Sequence, residues 1–111
     1  MSDNEEQSKM IMQFQIMQQQ LQNVMIQKES LKLNIMEIDQ ALEELDKSGN
    51  KDAYKITGSV MISKPAADIK KELSENKDLL NIRLNSMEKN EKELTAKLTE
   101  LQEKLKQSMK G

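Results

Sequence analysis

Apolar residues recur at alternating spacings of three and four along a first long segment, from about residue 5 to residue 46. When these positions are numbered as the a and d sites of a heptad, ten of twelve are apolar, and only Gln7 and Lys28 interrupt the series. The apolar members are Met10, Phe14, Met17, Leu21, Val24, Leu31, Ile35, Ile38, Leu42 and Leu45. A heptad kept over this length predicts a long helix whose apolar stripe packs in a coiled coil.

A second segment, residues 66–109, follows the same rule in its own register, with nine of thirteen positions apolar. These are Ala66, Leu73, Leu80, Leu84, Met87, Leu94, Leu98, Leu101 and Leu105, and the remaining positions hold Lys70, Lys77, Glu91 and Ser108. Two such helices joined by a short connection predict an antiparallel coiled coil, with both termini at the end away from the connection. Lys28 and Glu91 each interrupt a seam. They either meet and fix the register, or lie too far apart to pair.

Between the two helices, residues 52–64 change to a period of two, which is typical of a β-strand. The alternation runs on both sides of a Gly-Ser pair, and glycine in the first place of a two-residue loop predicts a hairpin turn. We assign Tyr54, Ile56, Gly58, Val60 and Ile62 to subunit assembly. A lone two-stranded hairpin is marginally stable in water. We therefore predict one apolar face and unpaired edges that join hairpins of other subunits in a shared sheet or β-barrel.

Composition limits the size of the core and the kinds of partner. Of 111 residues, 36% are hydrophobic, 2% aromatic and 32% charged, which predicts a single domain over 1–111 that buries a seam and no large core. A net charge of −2 with both signs interspersed gives no footprint for nucleic acid or an anionic membrane surface. No apolar run is long enough to span a bilayer, and the acidic start is unlike a signal peptide. We expect a soluble cytoplasmic protein.

The residue inventory argues against catalysis. The chain has no histidine and no cysteine, so the commonest general base and the thiol nucleophile are both missing. The carboxylates lie on predicted exposed helix faces beside lysines, and the three glycines form no phosphate-binding loop. We expect no enzyme activity, no catalytic residue, no cofactor and no metal site.

The hairpin and its flanks resemble the beta subunits of prefoldin, an archaeal and eukaryotic co-chaperone. The likeness is carried by QQQLQNVMIQKESLKLNIMEIDQALEEL in the first helix, by AYKITGSVMISKP, and by the second helix from KKEL through IRLNSMEKNEKEL. Its most specific part is the pattern YK-x-x-G-x-V-x-I-x-K between two heptad helices, and a single hairpin is typical of the beta class. The resemblance favours an archaeal origin.

This resemblance implies a hetero-hexamer of two alpha and four beta subunits. In that family, hairpins form a double β-barrel platform, and coiled-coil arms hold unfolded polypeptide at their free ends. The polypeptide passes to a group II chaperonin without use of a nucleotide.

The helix ends carry more apolar residues than a pairwise seam needs. The predicted client-binding residues are Met10, Ile11, Met12, Phe14, Ile16 and Met17 in the first helix, and Leu101, Leu105 and Met109 in the second. Surplus apolar surface marks interaction sites, and methionine adapts to many partners. The alternative is that Ile11, Met12 and Ile16 only widen the seam. Four further surplus residues, Met25, Ile26, Leu33 and Met36, lie mid-helix, where a packing role is at least as plausible.

Two functions therefore stay open. One is a holdase subunit that binds non-native polypeptide at the helix ends. The other is a coiled-coil scaffold or tether that docks one folded partner, with the hairpin serving only to dimerise.

Overall fold

The computed structural model describes residues 2–110 and contains two helices and two strands. Helix α1 runs Ser2–Ser48 and helix α2 runs Ala66–Lys110, against predicted spans of 5–46 and 66–109. Helix α1 ends where the Ser48 hydroxyl donates to the Leu45 carbonyl at 3.0 Å and Gly49 takes a φ of 65°, a left-handed conformation that glycine adopts without strain. Met1 and Gly111, the ends of the predicted 1–111 domain, lie outside the described residues.

Strands β1 (Asp52–Thr57) and β2 (Val60–Pro65) form the antiparallel hairpin. Thr57 pairs with Val60, so the loop has two residues, and Gly58 has a φ of 61°. Positive φ at the first loop residue is the requirement of a type II′ turn, whose twist matches that of the strands. The backbone N–H of Ala66 then donates to the Lys51 carbonyl at 2.7 Å, which fixes the start of α2 against the start of the hairpin. The predicted fold class, two long helices joined by one hairpin, is confirmed.

The helices divide into two compact units. The first unit combines residues 2–29 with 85–110. Its seam is half-buried at every predicted a and d position except two, since Leu101 is more deeply buried and Ser108 is exposed. Lys28 Nζ lies 2.6 Å from Glu91 Oε2, so the two seam charges meet. This contact raises the pKa of Lys28, because the neighbouring carboxylate favours the ammonium form.

The second unit covers residues 30–84 and includes the hairpin. Here too the seam lysines pair with acidic residues of the other helix, Lys70 with Asp46 at 2.7 Å and Lys77 with Asp39 at 2.5 Å. The later lysine of α2 pairs with the earlier aspartate of α1. The helix segments of this unit are therefore antiparallel. Its most buried side chains are Ala66 and Ile69, at the start of α2.

Candidate protein-binding surfaces

Helix α1 exposes a group of large apolar side chains in the first unit. Met12 is 60% exposed, Ile16 is 55% exposed and Ile11 is 39% exposed. We call these three residues the α1 cluster. Because positions 12 and 16 are one helical turn apart, their side chains are neighbours on the outer surface of the helix. Met12 and Ile16 therefore do not widen the seam, while Ile11 is less exposed than either.

The other predicted helix-end residues differ in exposure. Met109 is exposed, while Met10, Phe14, Met17 and Leu105 are half-buried in the seam. Leu101 is only 7% exposed. Its side chain packs inside the seam and is not available to a client.

Four mid-helix residues of α1, Met25, Ile26, Leu33 and Met36, are exposed as well and do not pack in the seam. Two apolar residues of α2, Leu79 and Ile82, are also exposed. The heptad alone does not predict a role for them, but it does place both outside the a and d sites of the second helix.

The hairpin has two apolar faces, which corrects the expectation of one. Side chains directly opposite each other in a hairpin point to the same face. Because Ile56 pairs with Met61 and Tyr54 with Ser63, one face carries Tyr54, Ile56 and Met61, and we call it the outer face. Val60 and Ile62 pair with Thr57 and Lys55 on the opposite face.

The outer face is open to solvent over its apolar residues. Ile56 is 72% exposed and Met61 is 63% exposed, and Tyr54 is similarly open. Val60 and Ile62 are exposed to a smaller degree. Met61 was missed from the sequence, although the two-residue loop determines the pairing that places it here.

The opposite face is held to α2 by a carboxylate shared between two lysines. Lys55 Nζ donates to Glu72 Oε2 at 2.9 Å, and Lys64 Nζ donates to Glu72 Oε1 at 3.0 Å. Each strand supplies one lysine, so both strands are oriented relative to the second turn of the helix. Both hydrogen bonds lower the pKa of the Glu72 carboxyl, and the bond from Lys55 has the larger effect.

A carboxyl with a depressed pKa stabilises the fold above its unfolded-state pKa, and this contribution is lost as pH falls through the folded-state pKa. We therefore expect Glu72→Gln to destabilise the hairpin at pH 7 and to differ less from the unmodified chain at pH 3. Tyr54 is the only tyrosine and the chain has no tryptophan, so tyrosine fluorescence during thermal unfolding reports on the hairpin. Glu75→Gln, on an exposed residue of the next turn, is the control. An equal loss of stability at both pH values would contradict the ionic role of Glu72.

Residues 2–110 contain no group of three or more metal-ligating side chains. Neither described helix has an apolar stretch that would cross a membrane.

The prefoldin subunit family matches residues 8–111 of the chain. A prefoldin subunit beta of Archaeoglobus fulgidus is 34% identical over 86% of this chain and 84% of its own length. One of Thermococcus onnurineus is 36% identical over 91% of this chain and 88% of its own. The crystal structure of the prefoldin beta subunit from Thermococcus strain KS-1 superposes with a TM-score of 0.87 at 31% identity, covering 96% of this chain and 94% of that one. The heptad helices, the single hairpin and these relatives agree, and the chain belongs to the prefoldin subunit family.

Proposed function

We propose that this chain is a subunit of an ATP-independent chaperone that holds non-native polypeptide and delivers it to a group II chaperonin. The observation that carries the proposal is the exposed α1 cluster, which lies outside the a and d positions, in a chain whose apolar a and d residues are at least half-buried. Exposed methionine and isoleucine suit a client without fixed shape, because their binding needs no specific hydrogen bond. The names of its relatives support the same role.

Assembly belongs to the hairpin in this proposal. The outer face and the two free strand edges would be covered by hairpins of other subunits, in the double β-barrel platform of a hexamer of two alpha and four beta chains. Tyr54, Ile56 and Met61 then supply the contact surface, together with Val60 and Ile62. The turn at Gly58 keeps both strands in register for this pairing.

Weak contacts at several arms would add up. Full burial of one aliphatic side chain against a client contributes roughly 1.5 to 3 kcal/mol before ordering costs. Several subunits of one hexamer that bind the same client polypeptide raise the avidity without any new type of contact. Met109 and the half-buried helix-end residues Met10, Phe14, Met17 and Leu105 border or extend this surface in the proposal.

The test replaces two exposed residues of the α1 cluster. We expect Met12→Ser with Ile16→Ser to weaken client binding by more than tenfold, since two apolar contacts are lost. The readout is suppression of the aggregation of reduced lysozyme, measured by light scattering. Leu33→Ser with Met36→Ser is the matched control, because it removes exposed residues of similar size from the same helix. Equal activity of both variants would overturn the proposal.

The scaffold alternative is favoured by one observation, the exposed residues Leu33, Met36, Leu79 and Ile82 of the second unit. Under that alternative, removal of the segment up to Met17 would disturb assembly. Under the holdase proposal, the same truncation abolishes suppression of aggregation and leaves the oligomer intact. Sedimentation and light scattering on one sample separate the two.

A further inference from the structure

Helix α1 has no charged residue between Lys9 and Lys28, in a chain that is 32% charged. Its exposed positions in this stretch carry either aliphatic side chains or the amides of glutamine and asparagine. The facing part of α2 in the same unit carries Glu93, Lys97 and Glu100. The neutral surface is therefore a property of α1 alone.

A groove of about 400 Å³ lies within this neutral stretch. Four glutamines line it, and we call it the amide groove: Gln15, Gln18, Gln19 and Gln22. The seam residues Leu21 and Leu98 and the exposed Met25 complete the lining. Because 15, 18, 19 and 22 are spaced by three and four, their amides share one face of the helix.

The amides of the groove are available to a ligand. Gln19 Nε2 donates to Asn23 Oδ1 at 3.4 Å, and the side-chain amides of Gln15, Gln18 and Gln22 have no hydrogen-bond partner among residues 2–110. Each glutamine amide offers two N–H donors and one carbonyl acceptor. These are the groups that an unfolded polypeptide backbone presents and must satisfy when it leaves water.

We infer that the amide groove binds the backbone of an extended, uncharged segment of non-native polypeptide, an inference that rests on the proposed function. The glutamines exchange hydrogen bonds with the client backbone, while apolar client side chains contact Ile16 and Met25. A charged client residue would lose hydration without gaining a counter-charge, so such segments are rejected. From Met12 to Ile26 the helix spans roughly 20 Å. This length accommodates about six residues of extended chain.

Three synthetic peptides of eight residues, with acetylated and amidated ends, test the inference on the full-length chain in its assembled state. The first alternates valine and serine, the second has two serines replaced by glutamate, and the third has alternate backbone nitrogens methylated. By calorimetry we expect the second and third to bind about tenfold more weakly than the first. Binding of the neutral peptide should not change between low and high salt, because no ion pair is involved.

Two pairs of variants locate the site. Gln15→Glu with Gln22→Glu should weaken binding of the neutral peptide about tenfold, because it places charge in the groove. Gln102→Glu with Gln107→Glu adds the same charge to exposed positions of α2 and should leave binding unchanged.

The outcomes separate this inference from the proposed function. One set of results would overturn the inference and leave the holdase proposal standing. In that set, Met12→Ser with Ile16→Ser abolishes peptide binding, the methylated peptide binds as tightly as the first peptide, and Gln15→Glu with Gln22→Glu leaves the affinity unchanged. If no variant changes peptide binding or suppression of aggregation, both fall. A change of oligomer mass in the Gln15 and Gln22 variant without peptide would mean that a second copy of the chain occupies the groove, which also overturns the inference.

Discussion

Ile56→Glu combined with Met61→Lys is expected to dissociate the oligomer while the helices persist. The two residues are cross-strand partners on the outer face, so the new side chains lie opposite each other. Opposite charges in such a pair support the hairpin itself. The same charges would lose their hydration if another hairpin covered this face, at a cost of several kcal/mol. Assembly is therefore lost without loss of the subunit fold.

Native mass spectrometry of the chain mixed with a prefoldin alpha subunit measures this effect, and circular dichroism confirms the helix content. The matched control is Leu79→Glu with Ile82→Lys, which places the same charges on exposed apolar positions of α2. We expect the control to keep the mass of the unmodified complex. Retention of that mass by the hairpin variant, or dissociation of the control, would show that the outer face does not hold the subunits together.

The largest effect on stability is expected from Ile69→Ala. Ile69 is 8% exposed at the start of α2, and truncation of a buried isoleucine to alanine costs about 2 to 5 kcal/mol through lost burial and the cavity that remains. Since one kcal/mol shifts the melting temperature of a domain of this size by about 4 °C, a decrease of about 10 °C is expected. Thermal unfolding followed by circular dichroism and by Tyr54 fluorescence measures it.

Ile82→Ala provides the comparison, because Ile82 has the same side chain in the same helix and is 65% exposed. Alanine is the better helix former, so this substitution should change stability by no more than about 0.5 kcal/mol in either direction. Similar melting temperatures for the two variants would contradict the burial that the structure assigns to Ile69.

Most of the fold was predictable because a sustained heptad has few alternatives. Every a and d position assigned to α1, including the polar Gln7 and Lys28, is half-buried in the structure. The pattern left open whether Lys28 and Glu91 pair, and the structure shows that they do. A charged residue on an apolar stripe must find a partner across the seam or remain unpaired there, and here the partner is present.

The parts that periodicity does not predict depend on the length of the turn or on contacts between elements. A period of two places Tyr54 and Ile56 together, and Val60 and Ile62 together, but it does not say whether the two pairs share a face. Only the length of the turn decides this, and a two-residue loop separates them. Ile69 lies off the heptad stripe and is nevertheless buried, beside Ala66 where helix and hairpin meet in one unit. Glu72 likewise had no local signal, since its two lysines come from both strands.

The neutral stretch of α1 also has a consequence during synthesis. A ribosome completes this helix well before α2 emerges, and until then Phe14, Leu21 and the other seam residues have no cover. No charge between Lys9 and Lys28 would keep two such nascent chains apart. We therefore expect nascent chains on neighbouring ribosomes of one message to associate through this segment until α2 has been synthesised and covers the seam.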